Sequence, residues 1–248
     1  MNVAAALALA RALGLDRLDA QLLLSHTLQR PRAWLIAHHE AALTPSQQQA
    51  FAEASRRRAD GEPMAYLLGE REFHGLMLQV GPAVLVPRPD TETLVDWALE
   101  LLAGTAATDV ADLGTGSGAI ALALKHRHPS ARVCAVDISA AALELAQASA
   151  RRLELELEFV QGDWWQPLQG RRFHLVVSNP PYIAGNDPHL DALRHEPALA
   201  LTPGGDGLAA LAQIVREAPA HLHAGGWLLL EHGHDQQPAV QQLLAEGV

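Results

Sequence analysis

The second half of the chain alternates short apolar runs with longer amphipathic segments. The apolar runs are rich in Val and Leu, as buried strands are, and the segments between them carry apolar residues at helical spacing. The predicted strands are 109–113, 132–136, 157–160, 173–177 and 227–231, and the predicted helices begin near Gly118, Ser139 and Leu208. Strands that alternate with helices indicate an α/β fold with a doubly wound, mostly parallel, Rossmann-like sheet.

The first third of the chain has a different pattern. Residues 1–68 are predicted to form a small helical bundle, whose clearest helix starts at Thr44, where Gln47 completes a capping box. Residues 69–86 contain two short extended runs broken by Gly75, which predicts a β-hairpin linker. We therefore expect a helical domain at 1–68, a hairpin linker at 69–86 and an α/β domain at 87–248.

Composition narrows the class of protein. Hydrophobic residues make up 49% of the 248 residues, enough for a sizeable core, yet the apolar clusters are too short to cross a bilayer. The N-terminus lacks the pattern of a signal peptide, so we expect a cytoplasmic protein without membrane contact. The net charge of −10 disfavours direct binding to nucleic acid. No Cys cluster or metalloprotease-type helix accompanies the 13 histidines, so we predict no metal site.

A glycine-rich turn follows the first strand of the α/β domain. Its residues are Gly114, Thr115, Gly116, Ser117 and Gly118. Glycine permits a tight turn and lets the backbone approach a ligand closely. Asp137 lies 23 residues after Gly114, at the end of the second strand, where a carboxylate accepts from ribose hydroxyls. These features predict a cofactor that contains adenosine. Because Gly114, Gly116 and Ala119 also satisfy a dinucleotide fingerprint, the turn alone leaves the cofactor open.

Residues 112–118 resemble the first motif of S-adenosylmethionine-dependent methyltransferases, which bind adenosine without a pyrophosphate. Asp163 and Trp164, after the third strand, fit the same family. The resemblance implies that the Asp163 carboxylate binds the adenine amino group and that the Trp164 indole lies beside the ring, with Trp165 as the alternative aromatic. It therefore favours S-adenosylmethionine as the cofactor.

A rigid corner, Asn179-Pro180-Pro181-Tyr182, follows the fourth strand and should lie at its carboxyl end, where open α/β sheets place their ligands. Neither proline has an N–H group, so the corner presents acceptors and no nucleophile. We expect the Asn179 side-chain oxygen and the Pro180 carbonyl to accept the two hydrogens of a substrate NH2 group, with Tyr182 beside the planar substrate. The corner alone does not choose among adenine, cytosine, guanine and a glutamine amide.

Motifs beyond the corner resemble the PrmC/HemK family of protein-(glutamine-N5) methyltransferases. The run Val86-Pro87-Arg88-Pro89-Asp90-Thr91-Glu92 is similar to the signature of that family. Further similar runs lie at 19–24, 61–63, 71–73, 195–201, 205–208 and 230–233, so the resemblance covers nearly the whole chain. It implies methylation of the glutamine in the Gly-Gly-Gln motif of peptide-chain release factors, and we expect the helical domain to help dock that protein.

Two alternatives follow from the same motifs. The enzyme that methylates a glutamine of a large-subunit ribosomal protein shares the fold and the corner, but its family lacks the run at 88–92. A nucleic-acid amino methyltransferase would need a basic target-recognition segment, which we do not find.

The chain departs from the PrmC/HemK family in its sheet, which that family normally closes with two further antiparallel strands. This chain stops at 246–248, just after a helix, so we expect five core strands without the closing hairpin.

Overall fold

The computed structural model describes residues 1–105 and 108–247 and divides into two compact units, Met1–Gly69 and Glu70–Val248. Residues 106–107, within the predicted α/β domain, and Val248 at its end lie outside the described residues.

The first unit is helical. Its helices are α1 (Val3–Ala12), α2 (Arg17–Leu28), α3 (Arg32–Ala37), α4 (Pro45–Ala59) and α5 (Met64–Leu68). The predicted capping box is present at α4: Thr44 Oγ1 accepts from the Gln47 N–H, and the Gln47 side chain accepts from the Thr44 N–H. A cap of this kind stabilises a helix by about 1 kcal/mol. Leu23, Leu24 and Phe51 lie at the centre of the apolar core of this unit.

The second unit contains the hairpin and the α/β sheet. The hairpin consists of β1 (Glu70–Phe73) and β2 (Leu76–Gln79). The remaining elements are α6 (Asp90–Leu102), β3 (Asp109–Leu113), α7 (Ala119–Arg127), β4 (Arg132–Asp137), α8 (Ala140–Arg152), β5 (Glu158–Gln161), β6 (Phe173–Ser178), α9 (Ala198–Leu201), α10 (Ala209–His221), β7 (Leu222–Leu230) and α11 (Gln237–Gly247), with 3-10 turns at Gln166–Leu168 and Pro188–Leu193. The hairpin packs on α8, where Ser149 Oγ accepts from the Gln79 N–H at 2.8 Å.

The sheet has the strand order β5-β4-β3-β6-β7, and every pairing in it is parallel. The predicted doubly wound α/β fold is therefore confirmed. The chain runs outward from β3 to β5 and then returns to β6 on the other side of β3. The switch of direction thus lies between β3 and β6, and ligands of open sheets bind beside the carboxyl ends of the strands at such a point.

Strand β7 starts earlier than the sequence predicts. Its pairing with β6 is irregular between Phe173 and Leu175, and regular register resumes at Trp227, where the predicted strand begins. The glycines at 225 and 226 interrupt the apolar pattern upstream of Trp227, which explains the shorter prediction.

The sheet is covered by a helix whose first six residues, from Ala119 to Leu124, are apolar and buried. The side chains of α7 from Ala121 to Leu124 are fully buried, and they join the core formed with β3 and β4. Because this part of the helix is buried on every side, it supports the strand ends rigidly and positions the loops that follow them. No helix among the described residues combines the length and hydropathy needed to cross a membrane.

Candidate active site

The ends of β3 and β6 lie side by side at the switch point. Leu113 and Ser178 are register partners in these two strands, and the Ser178 hydroxyl donates to the Leu113 carbonyl at 2.6 Å. Gly114 follows Leu113 at the end of β3, and Asn179 follows Ser178 at the end of β6. The glycine-rich turn and the Asn-Pro-Pro-Tyr corner therefore begin next to each other, although 65 residues separate the paired positions.

A cavity of about 470 Å³ opens at these strand ends, within the size range of small-molecule sites. Nine of the predicted site residues line it: Gly114, Thr115, Gly116, Ser117, Asp137, Asp163, Trp164, Asn179 and Pro181. Apolar side chains complete the wall, among them Phe73, Ile120, Ile138 and Leu199. Gly118, Pro180 and Tyr182 do not line the cavity in the part of the chain that the structure describes.

The glycine turn lies close to an indole at its first residue. Gly114 has φ +71°, a left-handed conformation that favours glycine. A Cβ atom at this position would lie 3.1 Å from Cζ3 of Trp164. Backbone N–H groups of Gly114 and Thr115 both donate to the Val136 carbonyl at 2.9 Å, which ties the turn to β4. The backbone thus forms a cradle between a strand end and an indole.

Gly118 has a packing role behind the cavity. It precedes α7 with φ +80°, and a Cβ atom there would lie 2.9 Å from Leu122 Cδ1 and 3.0 Å from Ala146 Cβ. Ala146 belongs to α8, so the missing side chain lets the two helices approach each other.

Asp137 joins the end of β4 to the glycine turn. Its Oδ2 accepts from the Gly116 N–H and its Oδ1 from the Ser139 N–H, both at 2.8 Å. Burial raises the pKa of Asp137, and these backbone hydrogen bonds act against that rise. Each carboxylate oxygen keeps a second lone pair, so Asp137 can also accept from ligand hydroxyl groups in the cavity it lines.

Asp112 supports the turn from inside the core. Its Oδ2 accepts from Thr115 Oγ1 at 2.6 Å and from the Ala121 N–H at 3.1 Å, and the residue is fully buried. Its Oδ1 has no hydrogen-bond partner among the described residues. Burial raises the pKa of Asp112 to about 7. A buried acceptor therefore fixes the Thr115 hydroxyl and the start of α7.

The two neighbouring tryptophans take different positions. Trp164 lines the cavity and has φ +43°, which is rare for a bulky residue. Trp165 is fully buried; its Nε1 donates to the Ile214 carbonyl at 3.2 Å, and its ring stacks on His221. The indole within reach of a ligand is therefore that of Trp164. Asp163, which also lines the cavity, is exposed.

Asn179 and Pro181 of the Asn-Pro-Pro-Tyr corner line the cavity, whereas Pro180 is buried. The Tyr182 hydroxyl donates to Oε1 of Glu231 at 3.2 Å. Burial, together with the nearby Glu231 carboxylate, raises the pKa of Tyr182 to about 12. Tyr182 is therefore protonated at neutral pH and is held by Glu231, a contact that the sequence did not predict.

A second unpredicted contact reaches Asn179 itself. The Asn179 Nδ2 donates to Thr91 Oγ1 at 3.2 Å, and Thr91 Oγ1 donates to Glu231 Oε2 at 2.7 Å. Thr91 lines the cavity and lies near the start of α6, whereas Glu231 directly follows β7. Both belong to runs that carry the family resemblance, but they are 140 residues apart and only the sheet order brings them together.

Arg88 and Glu196 fix the segment that precedes α6. The Arg88 guanidinium donates to Glu196, whose other oxygen accepts from the Val86 N–H at 3.0 Å. Glu196 is buried, and a buried carboxylate requires such partners. Arg88 lines the cavity, whereas Glu92 accepts from the His74 N–H and so holds the turn of the hairpin. Arg88 is thus at the site, and Glu92 supports it from the hairpin.

One cluster outside the cavity has the side chains of a metal site. The ligand atoms of Asp109, His174 and His223 lie within 4.8 Å of one another. The Asp109 carboxylate, however, binds both Nε and Nη2 of Arg132, at 2.6 and 2.7 Å. This ion pair holds the pKa of Asp109 below its usual value and neutralises the charge that a cation would need.

Two family models match the chain, one in each unit. The PrmC N-terminal domain matches residues 3–69, and the methyltransferase small domain matches residues 92–208. The second match includes the glycine turn and the Asn-Pro-Pro-Tyr corner.

Among solved structures, a Pyrococcus furiosus methyltransferase is 19% identical with a TM-score of 0.50, and the match covers 69% of this chain and 78% of that chain. A T. thermophilus 16S rRNA N2 methyltransferase in complex with AdoMet and guanosine is 23% identical with a TM-score of 0.53, covering 72% and 44%. These two likenesses concern the fold alone.

Curated relatives are similar over nearly the whole chain. The release factor glutamine methyltransferase of Bordetella pertussis is 50% identical, over 94% of this chain and 87% of the relative. The release factor glutamine methyltransferase of Coxiella burnetii is 48% identical, over 92% of this chain and 83% of the relative. At this identity and coverage, the chain belongs to the family of release factor glutamine methyltransferases.

Proposed function

We propose that this protein transfers a methyl group from S-adenosylmethionine to the side-chain amide nitrogen of the glutamine in the Gly-Gly-Gln motif of peptide-chain release factors. One observation carries the proposal: the glycine turn with Asp137 and the carboxamide of Asn179 line the same cavity at the switch point. A cofactor held by the glycine turn and an NH2 group held by Asn179 would therefore be bound within one cavity.

The residues present fit S-adenosylmethionine. Gly114 has no side chain and lines the cavity, so its backbone would be accessible to a ligand there, and the Trp164 indole beside it would supply a flat apolar surface for adenine. The free lone pairs of Asp137 would accept from the ribose hydroxyls, and Asp163 would accept from the adenine amino group. When bound, this cofactor supplies a methyl group on a sulfonium, whose C–S bond breaks with the electron pair remaining on sulfur.

The corner would hold the substrate amide. Asn179 Oδ1 would accept one of the two N–H hydrogens, which aims the nitrogen at the methyl group and places negative partial charge beside it. The second acceptor expected from the sequence, the Pro180 carbonyl, belongs to a buried residue outside the cavity lining. An amide nitrogen is a poor nucleophile because its lone pair is delocalised into the carbonyl. Its proton becomes acidic as the N–C bond forms and can then leave to water, so no strong base is needed. Tyr182 would pack beside the amide while its hydroxyl stays bound to Glu231.

The partner follows from the family rather than from the cavity. The named relatives are release factor glutamine methyltransferases, so we assign release factors as the protein substrate and the cytoplasm as the location. The helical unit is the proposed docking surface. Ile36 is 66% exposed there and lines a groove with Arg11 and Arg17, whose cationic side chains suit an acidic partner.

Labelled S-adenosylmethionine tests the assignment directly. We expect label on a purified release factor that carries Gln in its Gly-Gly-Gln loop and none on the same protein with Ala there. Label on both proteins would contradict the assigned target. Label on neither, with the wild-type enzyme folded and binding the cofactor, would contradict the proposed partner.

Docking requires a separate comparison. Ile36→Ser should raise KM several-fold for the whole release factor and leave KM unchanged for a short Gly-Gly-Gln peptide. Leu9→Ser changes another exposed aliphatic side chain of the helical unit that does not line the groove, and it is the control. Equal KM values for all three enzymes would remove the groove from the docking surface.

A further inference from the structure

The carboxamide of Asn179 is bound to a chain of hydrogen bonds that has a direction. Tyr182 and Thr91 both donate to Glu231, one to each carboxylate oxygen, at 3.2 and 2.7 Å. Asn179 Nδ2 and Thr91 Oγ1 are 3.2 Å apart. The hydrogen bonds therefore run from Asn179 through Thr91 to Glu231, which also accepts a hydrogen bond from Tyr182.

The direction follows from the number of hydrogens. A threonine hydroxyl has a single hydrogen, and that of Thr91 is donated to Glu231. Toward Asn179, Thr91 can only accept. The carboxamide must therefore present its NH2 end to Thr91, and its oxygen is left to accept from a ligand in the cavity that Asn179 lines.

A flipped carboxamide would have nearly the same shape and the opposite chemistry. Its NH2 group would face the substrate NH2 group, so two donors would meet and the substrate nitrogen would lose an acceptor. Shape and packing discriminate poorly between these two states, because the carboxamide oxygen and nitrogen are almost equal in size. A hydrogen-bond partner with a fixed role is what separates them.

We infer that Thr91 and Glu231 are positioning residues, which hold the Asn179 oxygen toward the substrate amide. This inference rests on the proposed function. The three residues come from separate elements, since Thr91 lies near the start of α6, Asn179 follows β6 and Glu231 follows β7. The Glu231 N–H also donates to the Ser178 carbonyl at 3.0 Å, which fixes its backbone beside the corner. Thr91 is 5% exposed, so bulk water competes little for these bonds.

Substitution at Thr91 tests the inference. Thr91→Val keeps the shape of the side chain and removes the hydroxyl, whereas Thr91→Ser keeps the hydroxyl. With saturating cofactor and release factor, we expect the single-turnover rate constant of Thr91→Val to fall at least about tenfold, as when one preorganised polar group is lost. Thr91→Ser should stay within about threefold of wild type. The cofactor Kd should change less than about twofold in both variants.

Three results would overturn the inference. The first is a wild-type rate in Thr91→Val, and the second is an equal loss of rate in Thr91→Ser. The third is a loss of rate in Thr91→Val that is fully explained by weaker cofactor binding. These results differ from a failure of the proposed function, in which the wild-type enzyme itself does not methylate the release factor. Thermal melting of each variant separates loss of fold from loss of rate.

A double-mutant cycle tests whether Glu231 acts through Thr91. Glu231→Gln can present an NH2 group to Thr91, which frees the Thr91 hydrogen to face Asn179. We expect it to lower the single-turnover rate several-fold in the wild-type background and to have no further effect in Thr91→Val. Additive losses would show that Glu231 acts independently and would remove it from the positioning chain.

Discussion

The indole of Trp164 lies against Gly114, so closely that a Cβ atom on the glycine would stand 3.1 Å from Cζ3 of the ring. The backbone also favours glycine at this position, because Gly114 has the left-handed φ of +71°. Gly114→Ala should therefore displace the indole by a few tenths of an ångström and narrow the cradle. We expect titration calorimetry to show cofactor affinity reduced about tenfold, equivalent to about 1.4 kcal/mol.

Gly170→Ala is the matched control for this prediction. Gly170 has φ +77°, and a Cβ atom there would meet nothing within 4 Å. The backbone cost is therefore similar, about 1 kcal/mol of folding stability, without any change at the cavity. Equal cofactor affinities in the two variants would show that the contact with Trp164 does not shape the site.

Asn179→Ala should separate catalysis from cofactor binding. The substitution removes the proposed acceptor for the substrate NH2 group, so we expect the single-turnover rate to fall about 10²- to 10³-fold. Cofactor affinity should stay within about threefold, because the glycine turn and Asp137 are intact. Asn186→Ala, an exposed asparagine a few residues along, should leave both quantities unchanged. An unchanged rate in Asn179→Ala at saturating substrate would refute the role of the carboxamide.

The site features that the sequence predicts involve residues close to one another along the chain. Gly114, the first residue of the glycine turn, lies 23 residues before Asp137 within one strand-helix-strand unit, and the Gly116–Asp137 hydrogen bond follows from that unit. The corner could be placed at a strand end because an apolar run precedes it. These features needed only the periodicity of the chain and the general rule for ligands of open sheets.

The sequence does not predict the hydrogen bonds that hold the Asn-Pro-Pro-Tyr corner. Asn179 and Thr91 are 88 residues apart, and their pairing depends on which strand lies beside which. The choice between Trp164 and Trp165 is local, but it depends on a left-handed φ at Trp164 that residue type does not indicate. Periodicity reports which residues are buried, and it carries no information about a backbone conformation that packing imposes.

Asp137→Asn should weaken cofactor binding more than Asp163→Asn does. Both Asp137 oxygens accept from backbone N–H groups, so a carboxamide there must turn its NH2 group toward one of these donors. Asp163 is exposed, and its carboxamide can rotate to keep an oxygen toward the ligand. We expect calorimetry to show a loss of affinity above about tenfold for the first variant and of a few-fold for the second. The reverse order would contradict the assignment of Asp137 to the cofactor.

The buried carboxyl of Asp112 should make stability depend on pH. Burial raises its pKa in the folded protein from 3.8 to about 7, so the folded state holds the proton more tightly than the unfolded state does. The stabilisation is complete below about pH 4 and is lost as pH rises through 7. Between pH 6 and pH 8 the free energy of unfolding should fall by about 1.4 kcal/mol from this group alone.

Asp112→Asn removes this titration while its oxygen can still accept from Thr115 and Ala121. Urea unfolding of both proteins is measured at pH 6, 7 and 8. In the difference between their free energies of unfolding, the contributions of all groups that the two proteins share cancel. We expect the wild type to lose about 1.4 kcal/mol relative to the variant across this range. Asp109→Asn is the control, because Arg132 holds the pKa of Asp109 below its usual value and the carboxylate does not titrate there. A difference that stays constant from pH 6 to pH 8 would show that Asp112 does not titrate in this range and would contradict a pKa of about 7 in the folded protein.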